Sequence, residues 1–312
     1  MRRILSRLSF LLALLFLLSG CVQQASPDEE AGLRIVVSAY PAYDFARQIA
    51  GDRASVSMLT PPGVDPHEYE PTPQNIIDMQ QCDLFVYNGG DSDAWVDTML
   101  QGLERDDMRI VRMMDCVALL AEETVAGMEA EEEDDEEEEY DEHIWLSPRN
   151  VMEITAVLAA ALTEADPDNA AYFTQNLAAY TAALEALDTR LTEIVSGGQR
   201  RTIVFADRFP ARYFTEHYGL DYYAAFPGCS AQTEPSASTV AFLIDRVREE
   251  GIPCVFSVPF SATTLPQTVR EATGAEILLF DSFHNVARDD FDTATYLDAM
   301  SRNADALERA LN

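Results

Sequence analysis

AAYFTQNLAAYTAALEALDTRLTEIV, residues 170–195, is the stretch on which the fold turns. Tyr172, Leu177, Tyr180, Leu184, Leu187 and Leu191 recur along it at helical spacing and make one apolar stripe. At a rise of about 1.5 Å per residue the helix exceeds roughly 35 Å, long enough to cross a whole molecule. Gly197-Gly198 stops it, and Asp166-Pro167-Asp168 separates it from an earlier helix, Asn150 to Thr163, that Pro148 opens.

On either side of this long helix, short apolar runs alternate with amphipathic ones. Before it, strands are expected at Leu33–Ala39, Ala54–Leu59, Leu84–Asn88 and Arg109–Met113, with helices at Tyr43–Ala50, from Pro73 through Asp78, and around Trp95–Leu103. After it come strands at Thr202–Ala206, Tyr222–Phe226, Pro253–Val258 and Glu276–Phe280. Helices are expected there at Ala211–His217, Ser236–Glu250, Leu265–Thr273 and Phe291–Leu311. Strands alternating with helices at this spacing build βαβ units and parallel sheets. The expected fold is α/β: two Rossmann-like lobes, each a mainly parallel sheet flanked by helices, bridged by one long helix. The lobes are placed at residues 33–165 and 199–312, with the linking helix at 166–198.

The first residues read as an address. Arg2, Arg3 and Arg7 precede an apolar run, Leu8 to Leu18, that is too short to span a bilayer. Leu18-Ser19-Gly20-Cys21 resembles a bacterial lipobox, which implies a signal peptide at 1–20, lipidation of Cys21, and a tether over 21–32. The protein is then expected outside the cytoplasm, lipid-anchored at the outer face of the cell membrane.

Net charge is -33 over 312 residues, and every basic residue is arginine. Twelve of the carboxylates lie between Glu129 and Glu142, inside a low-complexity acidic loop at 122–142. Phosphates are repelled by such a surface, so nucleic acid is excluded as a partner. Cys82, Cys116, Cys229 and Cys254 are widely spaced and show no CxxC pair. Their pairing stays open, although Cys82, Cys116 and Cys254 flank strand-like runs and suit buried free thiols.

Three of the four histidines stand in well-formed contexts. His67 lies in Val64-Asp65-Pro66-His67-Glu68-Tyr69-Glu70-Pro71, His143 in Asp141-Glu142-His143-Ile144-Trp145-Leu146-Ser147-Pro148, and His284 in Asp281-Ser282-Phe283-His284-Asn285. Imidazole is the commonest protein ligand for zinc and its first-row neighbours. His217 sits mid-helix beside Tyr218 and is expected to face solvent.

Those motifs, in this order and with Asn88-Gly89-Gly90-Asp91-Ser92-Asp93-Ala94-Trp95 and the tail from Tyr296 to Asn303, resemble the zinc- and manganese-binding solute-binding lipoproteins of bacterial ABC importers. The resemblance covers nearly the whole chain beyond Gly32. It implies two lobes on a rigid helical backbone, one metal ion in the cleft, and delivery to a membrane permease driven by its ATPase. Carried over residue by residue, it makes His67 and His143 first-lobe ligands. In the second lobe this chain departs from the common pattern: Ala206-Asp207-Arg208 stands where many members have His or Glu. Asp207, Asp281 and His284 are all candidates there. The resemblance favours Zn2+, with Mn2+ as the alternative cargo, in a monomeric receptor. The acidic loop stands where zinc-type relatives carry a histidine-rich loop, which implies a cation collector; a solvated insert without a role is the alternative.

An enzyme is not expected. A zinc hydrolase needs an open coordination position and a general base, and His67-Glu68-Tyr69-Glu70-Pro71 has no second histidine to make HExxH. No GxSxG and no phosphate-binding glycine loop is present. A surface-adhesion role has no sequence mark and does not exclude metal binding.

Overall fold

The computed structural model describes residues 32–103, 105, 107–129, 139–228, 230 and 234–312. The expected signal peptide, Cys21, nearly all of the tether, the middle of the acidic loop at 130–138, and Cys229 lie outside those residues.

The first half runs β1 (Leu33–Val37), α1 (Tyr40–Ala50), β2 (Ala54–Met58), α2 (Pro73–Gln81), β3 (Leu84–Tyr87), α3 (Ala94–Gln101) and β4 (Arg109–Arg112). Two helices follow, α4 (Pro148–Ala165) and the long α5 (Ala170–Gly197). The second half is β5 (Thr202–Arg208), α6 (Arg212–Tyr218), β6 (Asp221–Phe226), α7 (Ala237–Glu249), β7 (Cys254–Ser257), α8 (Leu265–Thr273), β8 (Glu276–Leu279) and α9 (Tyr296–Leu311). Both sheets are wholly parallel, with strand orders β2-β1-β3-β4 and β6-β5-β7-β8. The two halves therefore repeat one topology, although their sequences share only the alternation of elements.

Each sheet is covered on both faces, as parallel sheets require. Side chains alternate along a strand, so Val36, Phe85 and Tyr87 meet Met79 of α2 and Val96 of α3 on one side. Ile35, Val37, Leu84 and Val86 face the other way into a larger core. In the second sheet Val204, Ala206 and Val255 pack on Leu243, Val247 and Val269, while Ile203, Phe205 and Phe256 join the same larger core. That shared core is continuous across both halves and is lined by Phe173, Tyr180, Leu184, Leu187, Leu191 and Val195 of α5. The long helix thus contributes a buried stripe common to α1, α4 and α9 and ties the two sheets together.

The terminal helix starts five residues later than its sequence pattern suggests. Thr295 caps it, its Oγ1 accepting from Asp298 N at 3.2 Å. The segment before it is held off helical geometry because its carbonyls are engaged elsewhere. Tyr40 Oη donates to the carbonyls of Phe291 and Ala294 at 3.0 Å each, and Arg47 reaches Asp292 O at 2.8 Å.

The ends of the acidic loop are stapled. Ala121 and Tyr140 form an antiparallel bridge, and Glu122 N donates to Glu139 O at 2.9 Å. Cys82, Cys116 and Cys254 are free thiols, the first and last of them buried. Among the described residues no helix is long and apolar enough to cross a membrane.

Candidate metal centre

In an open parallel sheet the loops at the carboxyl ends of the strands are the natural place for a site. Here the loops after β2, β3, β5, β6, β7 and β8, with the long segment after β4 that carries His143, line one cavity of about 570 Å³.

His67 comes from the loop after β2. Leu59 and Thr60 prolong the ladder to Val37 O and Ser38 O, at 2.9 and 3.1 Å, before Thr60-Pro61-Pro62-Gly63 turns the chain. Asp65 then caps a single 3-10 turn, its Oδ1 accepting from His67 N at 3.1 Å. Arg208, from the end of β5, lies 3.5 Å from Asp65 Oδ2. His67 Nδ1 is 2.6 Å from Ser92 Oγ, so its Nε2 is the nitrogen left for a ligand.

His143 is fixed by the turn that opens α4. Asp141 Oδ1 accepts from His143 N at 2.8 Å and lies 3.3 Å from its Nδ1. That second approach is too poorly aligned for a hydrogen bond, so Nδ1 is a buried atom with electrostatic support only. Ser147 caps α4 and sits 3.1 Å from His217 Nδ1. His217 is therefore half-buried against this cap and does not face solvent as its mid-helix position suggested. Gly228 passes so close that a Cβ there would lie 3.3 Å from His143 Cε1 and 2.8 Å from Phe209 O.

His284 follows β8. Asp281 Oδ1 accepts from Phe283 N at 3.0 Å, and its Oδ2 takes Arg302 Nη2 at 2.8 Å. Phe283 sits at φ 54°, a left-handed conformation that costs a side-chain-bearing residue about 1–2 kcal/mol. Its buried ring packs edge-on against Tyr40 at 5.1 Å and Tyr296 at 5.7 Å, and such burial contributes about 1.5–3 kcal/mol, enough to hold the turn. The turn aims His284 at the other two rings. Asn285 then grips the His67 loop: its Oδ1 accepts from Gly63 N at 3.1 Å and its Nδ2 donates to Val64 O.

The three rings meet. Their centroids are 4.5 Å apart for His67–His284, 5.2 Å for His143–His284 and 5.8 Å for His67–His143. One nitrogen from each falls within 4.8 Å of the others, and among the described residues this is the one group of metal-ligating side chains so arranged. Burial, and then the nearby His143 ring, push His67 down to about 4. Burial drives His284 well below its ordinary value, with His67 and His143 adding to the effect. His143 differs: burial opposes its charge, but the carboxylates around it, Asp141 first and then Glu142 and Glu122, together outweigh burial and raise it. Two of the rings are thus held neutral and ready to donate a lone pair.

The two acidic candidates sit outside this group. Asp207 is buried, and its carboxylate accepts from Ser257 Oγ (3.0 Å), Val258 N (3.2 Å), Ser261 Oγ (2.8 Å) and Arg208 N (2.9 Å). It shapes the cavity wall after β7. Asp281 is turned toward α9 and braces the His284 loop. Residues that sequence reading passed over are Ser92, Glu142, Phe283, Asn285 and Gly228. Ser92, Glu142, Phe283 and Asn285 lie inside the stretches already singled out, but what each of them touches is not a local signal.

A family model described as zinc-uptake complex component A, periplasmic, matches residues 35–310. The zinc-binding lipoprotein AdcA of Streptococcus pneumoniae is 29% identical over 309 residues, 98% of this chain and 61% of that protein. The chain therefore spans about three-fifths of the length of that relative. The high-affinity zinc uptake system protein ZnuA of Bacillus subtilis is 28% identical over 314 residues, covering 97% of this chain and 96% of its own. The Zn(II)-bound ZnuA-like domain of S. pneumoniae AdcA superposes with a TM-score of 0.74 at 28% identity, over 90% of this chain and 99% of that one.

Proposed function

The chain belongs to the zinc-uptake complex component A family, and from that membership we propose that it is the extracytoplasmic solute-binding component of an ABC importer. It captures zinc ion in the cavity between its two sheets and delivers it to a membrane permease. The observation that carries this reading is the convergence of His67, His143 and His284. Three imidazoles, two of them already held neutral and His143 neutral once it ligates, supply three of the four positions zinc prefers. An all-nitrogen set also favours zinc over manganese, which prefers oxygen donors. Asp207 and Asp281 support the walls of the site in this reading and leave ligation to the histidines.

Zinc–nitrogen bonds of about 2.0–2.1 Å place tetrahedral ligands roughly 3.3 Å apart. The described nitrogens, within 4.8 Å of each other, contract on binding. His67 and His143 come from the first half of the chain and His284 from the second, so contraction draws the two halves together. With one core continuous across both sheets, that motion is small and confined to loops, not a wide hinge. Lipidation at Cys21 and anchoring at the outer membrane face complete the reading, supported by the Leu18-Ser19-Gly20-Cys21 sequence and the lipoprotein name of the AdcA relative.

Calorimetric titration with zinc tests the capture step. Wild-type protein binds one zinc tightly, and His67→Ala, His143→Ala and His284→Ala each weaken binding by more than the roughly 10–100-fold of an outer-shell loss. Wild-type affinity in all three variants would defeat the reading.

A further inference from the structure

His67 is the ligand candidate with the most elaborate support, and that support comes from the loop after β3. Ser92 Oγ lies 2.6 Å from His67 Nδ1, and the same hydroxyl donates to Glu142 Oε2. Ser92 N donates to Glu142 Oε1 at 2.9 Å, so both carboxylate oxygens are held by one residue. Glu142 is only 3% exposed. It fits there because Gly90, at φ 82°, has no Cβ: a side chain at that position would collide with the Glu142 carboxylate. Asn88 Nδ2 donates to Glu142 O at 2.9 Å and fixes its backbone. The loop itself is rigid, since Asp93 Oδ2 accepts from Ser38 Oγ (3.0 Å), Asn88 N (2.8 Å) and Gly89 N (3.1 Å).

The directions of these bonds follow from the donor inventory. A carboxylate only accepts, so the single Ser92 O–H points at Glu142. What Ser92 then offers His67 is an oxygen lone pair. A ring nitrogen facing a lone pair must carry the hydrogen, so Nδ1 is protonated and Nε2 is bare. We propose that Ser92 and Glu142 are positioning residues for metal capture: the carboxylate, through the serine hydroxyl, locks neutral His67 in the tautomer that presents Nε2 to the ion. The proposal rests on His67 being a zinc ligand. Losing a partner that fixes a ligating histidine's tautomer and ring orientation typically costs about 10–100-fold in metal affinity. Without the relay the hydrogen is free to occupy Nε2 and must leave before metal binds.

The test uses metal-free protein labelled with 15N at histidine, read by long-range 1H–15N correlation, beside zinc titrations. In wild type, His67 shows the Nδ1–H pattern. In Ser92→Ala that pattern gives way to Nε2–H or a mixture, and zinc affinity falls about 10–100-fold. Glu142→Gln also loses affinity, while Ser92→Thr, which keeps the hydroxyl, restores both the tautomer and most of the affinity. A general loss of packing does not produce rescue by threonine. Wild-type His67 found as Nε2–H overturns the proposal, and so does a Ser92→Ala variant that binds zinc as tightly as wild type. If Ser92→Ala fails to fold, the wild-type tautomer and the Glu142→Gln affinity still decide. The tautomer is measured without metal, so failure of this inference is distinct from failure of zinc binding itself.

Discussion

Trp145 Nε1 donates to the carbonyl of Ser282 at 2.8 Å, joining the turn two residues past His143 to the loop two residues before His284. The indole is buried and its ring lies 5.4 Å from His143 and 5.2 Å from His284. It is a wall of the site and a strut across it. Trp145→Phe keeps an aromatic ring but orphans the Ser282 carbonyl, at a cost of about 1–3 kcal/mol. Urea denaturation of metal-free protein is expected to show that loss, and zinc affinity is expected to fall with it.

Asn285 bridges two loops that carry ligands, through Gly63 N and Val64 O. Asn285→Ala removes these two cross-loop hydrogen bonds, together worth about 1–3 kcal/mol, and a local third that Val286 N donates to the same Oδ1 at 2.6 Å. The bonds lie at the edge of the cavity, away from the core, so global stability changes little. Zinc release, followed by stopped-flow chelator capture, is expected to speed up about tenfold, since 1.4 kcal/mol corresponds to that factor.

Gly228→Ala puts a methyl 2.8 Å from Phe209 O, 3.1 Å from Asp141 Oδ2 and 3.3 Å from His143 Cε1. Neither the backbone oxygen nor the buried ring has room to retreat, and overpacking of this kind costs about 1–3 kcal/mol. Calorimetry is expected to show zinc affinity reduced by about tenfold or more, with His143 displaced.

Proton release gives the pH dependence. His67, held down to about 4, is neutral above about pH 5 and gives up no proton to zinc there, and burial holds His284 toward its neutral form. His143 is raised, so below its pKa it carries the proton that zinc must displace. Affinity therefore rises with pH through the range below the His143 pKa and levels off above it. Titrations at pH 6 in buffers of different ionisation enthalpy are expected to find about one proton released per zinc, not three.

Much of the fold is written in short-range pattern. The 28-residue α5, the Gly197-Gly198 stop and the strand–helix alternation are local signals, and the structure places those elements close to where the pattern puts them. The start of α9 is not local: Phe291 and Ala294 look helical, yet Tyr40 and Arg47, some 250 residues away, hold their carbonyls. The same distinction divides the site. His67 and His143 sit in motifs that can be read in isolation. Whether Asp207 or His284 faces the cavity depends on Ser257, Ser261 and the left-handed turn at Phe283, and those partners meet only in the folded chain.

The central claim is that three histidines from both halves of the chain hold the ion. Crystals of zinc-loaded protein measured at the zinc absorption edge test it most directly. One anomalous peak is predicted about 2.0–2.1 Å from a nitrogen of each of His67, His143 and His284. A peak ligated instead by Asp207 or Asp281, or one with fewer than these three imidazoles around it, would contradict the account.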